Sequence, residues 1–169
     1  SLGNAIQGLK SPVIDVAVAE DTATQRNLWE FREKITEAIA TQGTPHKLDV
    51  TLAASRLAQF VEGVPKIVSD IDEKATTLMF GHLGDGNVHV NILGGNASKV
   101  DSSIDIAVLA YTASLGGSIS AEHGIGTAKR DLLHLNRSTS ELAVFRSIKQ
   151  ALDPTNILNP NALIPEENL

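Results

Sequence analysis

The order of apolar patterns predicts an α+β fold: an antiparallel sheet with a ferredoxin-like β-α-β-β-α-β core and helices mainly on one face. Three observations carry this. From Lys47 to Ala121 the patterns run strand, helix, strand, strand, helix, strand. The two central strands flank Asp85-Gly86, the pair favoured by a two-residue type I′ turn because both positions need φ > 0. The helical segments carry apolar residues three and four apart, which suits packing on one side of a sheet. Such a sheet keeps its other face for a ligand or a second domain.

Each element has a local reason. Val13 to Ala19, with Val13, Val16 and Val18, reads as a strand. Glu20-Asp21-Thr22 and Thr24 offer N-cap chemistry for a helix over 24–40, with Leu28, Phe31, Ile35 and Ile39 on one face and Gly43 as a stop. Pro45-His46 turns the chain into a strand over 47–51. A helix over 53–71 has Leu57, Phe60, Val61 and Val64 apolar, and Gly63 and Pro65 are expected to kink or split it. The hairpin follows, then a loop at Gly94-Gly95-Asn96 and a helix over 101–115 ending at Gly116-Gly117. A short strand over 118–121 delivers Glu122. Thr127 caps a short helix to Leu133. Ser138 and Glu141 form a capping box for a helix to Leu152, with Leu142, Phe145, Ile148 and Leu152 inward. Asp153-Pro154 ends it, and the apolar tail Asn156-Ile157-Leu158-Asn159-Pro160 is expected to dock. No internal repeat or low-complexity segment occurs.

The hairpin also carries chemistry. A two-residue turn at Asp85-Gly86 sets Gly84 against Asn87, Leu83 against Val88 and His82 against His89. Directly opposed residues have Cβ atoms about 4.5–5.5 Å apart on a shared face. Two imidazoles so placed can serve one metal ion. Asn91 lies on the same face, two residues beyond His89. Downstream, Glu122 completes a His₂Glu set, three protein ligands with room for water or substrate, the pattern of catalytic rather than structural zinc. His123 is then a spare imidazole beside the metal, suited to acid–base work. A histidine on a strand is more often structural than ligating; the pairing and the glycine-rich surroundings shift that balance. Arg32 and Thr36, four apart on their helix, share a stripe beside its apolar face, where composition alone makes Arg32 a surface charge.

Composition narrows the classes. A chain of 169 residues with 42% apolar content can bury a real core. The net charge of −6 argues against nucleic acid as a partner. The sequence contains no run near the roughly 18 apolar residues of a membrane span, and no secretory signal pattern. With no cysteine, disulfides and thiolate ligands are excluded, so a metal must use histidine and carboxylate. The chain starts at Ser1 and its only methionine is Met79, from which we expect one domain, 1–169, of a longer protein. Gly124-Ile125-Gly126-Thr127-Ala128-Lys129 ends in lysine where a dinucleotide fingerprint wants glycine or alanine. Gly81 to Asn87 lacks the Gly-Lys-Ser/Thr of a phosphate loop, and no Gly-x-Ser-x-Gly elbow is present.

Three blocks, GHLGDGNVHVNI (81–92), GSISAEHGIGTAKR (117–130) and LDPTNILNPNALIP (152–165), with a weaker one, LWEFREKITEAI (28–39) followed by HKLDV (46–50), carry a resemblance. The chain resembles the C-terminal domain of FAD-linked oxidases of the vanillyl-alcohol-oxidase-like superfamily. The most similar group is the D-2-hydroxyacid dehydrogenases: D-2-hydroxyglutarate dehydrogenase, D-lactate dehydrogenase and the glycolate oxidase flavin subunit. The resemblance implies that His82, His89 and Glu122 are ligands of a divalent metal, zinc in the hydroxyglutarate branch. It implies that Asn91 contacts substrate, that His123 is the general base, and that Arg32, Thr36 and Lys47 hold substrate carboxylates. That reverses the surface reading of Arg32, since an acidic domain binding an acidic substrate needs local cations. Asn159 falls at a cofactor-contacting position of the family tail, which usually ends Asn-Pro-x-Lys or Asn-Pro-Gly-Lys. Here Ala162 replaces that lysine, which puts the lysine's role in doubt.

The resemblance further implies an N-terminal FAD-binding domain in cis and an electron acceptor protein or quinone; without that domain the bared sheet face is expected to favour homo-oligomers. The implied location is cytoplasmic or peripheral membrane in a bacterium, or the mitochondrial matrix in a eukaryote. The 169 residues alone are expected to be inactive. The alternative is a non-catalytic, metal-stabilised docking or oligomerisation module.

Overall fold

The computed structural model describes residues 16–95 and 102–165. They divide into two compact units, with the division between Ala38 and Ile39. The N-terminal unit holds α1 (Thr22–Glu33) and the start of α2 (Ile35–Thr41), so the expected single helix is interrupted at Lys34. Asp21 is the N-cap, its carboxylate accepting the backbone N–H of Thr24 at 2.8 Å. The expected inward face is not built: Phe31 is 80% exposed and Leu28 is also exposed, whereas Ile39 is buried. The expected strand over 13–19 lies partly outside the described residues, and its described part is not a strand.

The second unit contains β1 (His46–Thr51), α3 (Ala54–Ile71), β2 (Thr76–His82), β3 (Asn87–Leu93) and α4 (Ser102–Ser114). A 3₁₀ helix (Arg130–Leu135) and α5 (Thr139–Leu152) follow. The sheet is antiparallel in the order β1-β3-β2. Thr51 and Ser118 form a single antiparallel bridge on the free side of β1. This is the ferredoxin-like order with the fourth strand reduced to one bridge. The expected strand over 118–121 stops there because side chains take its donors. The N–H of Ile119 goes to Asn136 Oδ1, and those of Ala121, Glu122 and His123 all go to Asp49 Oδ2.

Strand alternation separates two faces. Leu48 and Val50 of β1 and Val88, Val90 and Ile92 of β3 point to the helices. There they meet Phe60, Val64 and Val68 of α3 and Ile104, Val108 and Leu109 of α4. The row Phe60, Val64, Val68 keeps α3 continuous through Pro65, contrary to the expected split. Helix α4 ends as its Gly-Gly pair predicts. Gly116, at φ 76°, lets the N–H of Gly117 reach Thr112 O at 2.9 Å while its own N–H reaches Ala113 O.

The C-terminal end departs further from expectation. The helix expected over 127–133 is the later 3₁₀ turn, whereas the Ser138–Glu141 capping box is present. On α5 Leu142 is buried, but Ile148 and Leu152 are exposed. The tail is held by polar clasping rather than apolar docking. Asp153 receives the Lys149 ammonium and the N–H groups of Ile157 and Leu158, while both of those side chains stay exposed.

The hairpin turn is longer than expected. Four residues, 83–86, connect the strands, so His82 pairs with Asn87 and Phe80 with His89. Gly86 N–H closes the turn on His82 O at 3.0 Å, and Asn87 N–H donates to Asp85 Oδ1 at 3.0 Å. The slip moves each partner by two residues, which preserves the face each side chain occupies. Gly86 sits at φ 74°, and a Cβ there would lie 1.8 Å from Leu52 O. Gly86→Ala should therefore cost at least about 1–2 kcal/mol in left-handed strain alone, a loss of several degrees in Tm. Thermal unfolding by circular dichroism measures it, and an unchanged Tm would contradict this turn.

Candidate functional site

The sheet face away from the helices carries Lys47, Asp49 and Thr51 of β1, Asn87, His89 and Asn91 of β3, and Phe80 and His82 of β2. The loop after the Ser118 bridge brings Glu122 and His123 onto this face. Because His82 and His89 are diagonal rather than opposed, their ring centroids stand 5.9 Å apart, edge to face. His89 lies between Phe80, at 5.0 Å, and His123, at 5.9 Å.

His82, His89 and Glu122 come together: one ligand atom from each lies within 4.8 Å of the others. His82 Nδ1 is 3.5 Å from Glu122 Oε1. Two ligands on one tetrahedral zinc, with bonds of about 2.0–2.1 Å, stand about 3.4 Å apart, so this spacing suits a shared ion. The donor set, two imidazoles and a half-exposed carboxylate, also fits a divalent metal with an open position. A second trio, Asp49, His89 and His123, meets the same distance condition.

Two residues of this site were missed in the sequence. Asp49 is fully buried in mid-strand, its Oδ2 accepting the N–H groups of Ala121, Glu122 and His123 at 3.1, 2.7 and 3.0 Å. Burial pushes its pKa up, but those three donors and the nearby His123 outweigh it and hold the carboxyl below the usual carboxylate range. An acid amid strand-forming residues is disfavoured, and that was the available signal. Asn87, almost fully buried, donates from Nδ2 to Glu122 Oε1 at 2.6 Å. Lys129 donates to the backbone O of Asp49 at 3.2 Å; burial lowers its pKa, against the opposing pull of Asp49 and Asp105.

The other expected residues are placed as follows. Lys47 is exposed and paired with Asn91, which is buried on the same face. His123 is largely exposed, with Nδ1 3.9 Å from Asp49 Oδ2. Arg32 and Thr36 belong to the N-terminal unit, where the Arg32 guanidinium lies 5.2 Å from the Trp29 ring centroid. Asn159 sits in the clasped tail at φ 50°, exposed. Among the described residues no helix is long and apolar enough to cross a membrane.

Residues 7–163 match the family described as FAD linked oxidases, C-terminal domain. A probable mitochondrial D-2-hydroxyglutarate dehydrogenase of Oryza sativa subsp. indica is 39% identical over 158 residues, 93% of this chain and 28% of that protein. D-2-hydroxyglutarate dehydrogenase of Stutzerimonas stutzeri (strain A1501) is 34% identical over 89% of this chain and 34% of its own length. The mitochondrial D-2-hydroxyglutarate dehydrogenase of Danio rerio is 33% identical over 92% of this chain and 29% of its own length. The chain thus spans about a third or less of the relatives it matches.

Proposed function

The chain belongs to the FAD-linked oxidase C-terminal domain family, and from that membership we propose that it is the substrate- and metal-binding domain of an FAD-dependent dehydrogenase that oxidises a D-2-hydroxy acid to the 2-oxo acid. D-2-hydroxyglutarate is the first candidate substrate, from the names of the relatives. The observation that carries the reading is the convergence of His82, His89 and Glu122 beside His123 on a face not used by the core helices.

His82, His89 and Glu122 would hold a divalent ion, which would supply the Lewis acidity that makes a 2-hydroxyl easier to deprotonate. His123 takes the hydroxyl proton at an imidazole nitrogen. Lys47, exposed on the same face, attracts a substrate carboxylate, and the Asn91 amide orients the substrate. The family resemblance gives Arg32 and Thr36 of the N-terminal unit the role of holding a substrate carboxylate. The redox chemistry would belong to the flavin of an N-terminal domain in cis, with Asn159 as a cofactor-binding residue, and a protein or quinone would take the electrons.

A substrate screen on the flavin-loaded whole protein tests this reading. D-2-hydroxyglutarate oxidation is expected. Failure to oxidise any D-2-hydroxy acid would refute it. In the same assay Lys47→Ala or Arg32→Ala should raise KM by about tenfold or more, since a charge-assisted hydrogen bond is worth about 1.5–3 kcal/mol. Unchanged KM in both variants would return the two cations to the surface.

A further inference from the structure

A buried carboxylate needs compensation, and the two oxygens of Asp49 are used differently. Oδ2 has three backbone donors from 121–123. Oδ1 is buried with no hydrogen-bond partner among the described residues and stands 3.4 Å from His89 Nδ1. A carboxylate only accepts, so the nitrogen facing Oδ1 is the one that carries the proton in a neutral imidazole. The lone pair is then on Nε2. Asn87 has the matching role toward the other element, holding Glu122 Oε1 at 2.6 Å.

We propose that Asp49 is the positioning residue of the site: it fixes His89 as the Nδ1–H tautomer and pins the 121–123 loop, so that His89 Nε2 and the Glu122 carboxylate address one divalent cation, with Asn87 fixing Glu122. This rests on the metal reading above. It follows the general logic of metal sites, in which a ligating histidine donates its other N–H to a carboxylate and the ligating carboxylate is itself hydrogen-bonded. The rival arrangement makes Asp49 a ligand with His89 and His123. Burial disfavours it: Asp49 is enclosed and Oδ2 is already occupied by three donors, whereas Glu122 is about half exposed.

The test begins without metal. Long-range ¹H–¹⁵N NMR of the whole protein labelled with ¹⁵N-histidine should show His89 as the Nδ1–H tautomer. Asp49→Asn keeps an oxygen for the loop donors but turns an NH₂ toward Nδ1, so it should shift His89 toward Nε2–H. Zinc affinity of Asp49→Asn, by chelator competition, should fall about 10- to 100-fold. The Co²⁺ absorption spectrum at saturation should keep its wild-type form, because the ligand set is unchanged. An Nε2–H tautomer in the wild type overturns the proposal without recourse to any variant. A Co²⁺ spectrum showing one ligand fewer in Asp49→Asn also overturns it, since Asp49 would then be a ligand. An Nδ1–H wild type that binds no zinc or cobalt supports the tautomer assignment and overturns the metal reading instead.

Discussion

His89→Ala in the whole protein is expected to lose its metal and about two to three orders of magnitude of turnover. His89 belongs to both candidate ligand trios, so its removal breaks either one. A Lewis-acidic ion contributes several kcal/mol to a transition state that develops charge on oxygen, and each 1.4 kcal/mol or so is a factor of ten. The ring is mostly buried between Phe80 and His123, so some stability is lost as well. Metal analysis separates the two effects: a folded, flavin-loaded variant with less than one tenth of the wild-type metal is the expected result. Full metal occupancy with unchanged turnover would show that the ion lies elsewhere.

His123→Asn should behave in the opposite way toward the metal. Its side chain is 61% exposed and it is adjacent in sequence to Glu122, which is the proposed ligand. Asparagine should leave the backbone N–H of residue 123 on Asp49 Oδ2, so the loop stays pinned. Metal content and Tm should stay near wild type, while kcat falls about 10²–10⁴-fold through loss of the general base. Loss of metal in this variant would instead favour the trio of Asp49, His89 and His123.

The two variants probe a site whose parts were unequally visible in the sequence. His82 and His89 stood out because the hairpin places them on one face, and Glu122 because it follows in glycine-rich surroundings, and their convergence survived an error in the turn. The two-residue turn was wrong by two positions, and an even slip leaves every side chain on its own face. Asp49 and Asn87 did not stand out. Their contacts are with Glu122 and the loop around it, 73 and 35 residues away. Nothing in local periodicity encodes a partner at that distance.

The same division holds for the fold. Alternation in β3, the apolar Phe60 and Val64 of α3, the Gly116-Gly117 stop and the Ser138 capping box are local rules, and each was legible because its physics closes within a few residues. The sequence by itself therefore determined the α+β class, the order of the core elements and which face of the sheet is polar. Only the tertiary structure decided the rest. The strand expected over 118–121 gave way because Asp49 and Asn136 took its backbone donors. Leu28, Phe31, Ile148 and Leu152 match a buried helical face in spacing yet remain exposed, because periodicity states which residues share a face and not whether a surface meets it.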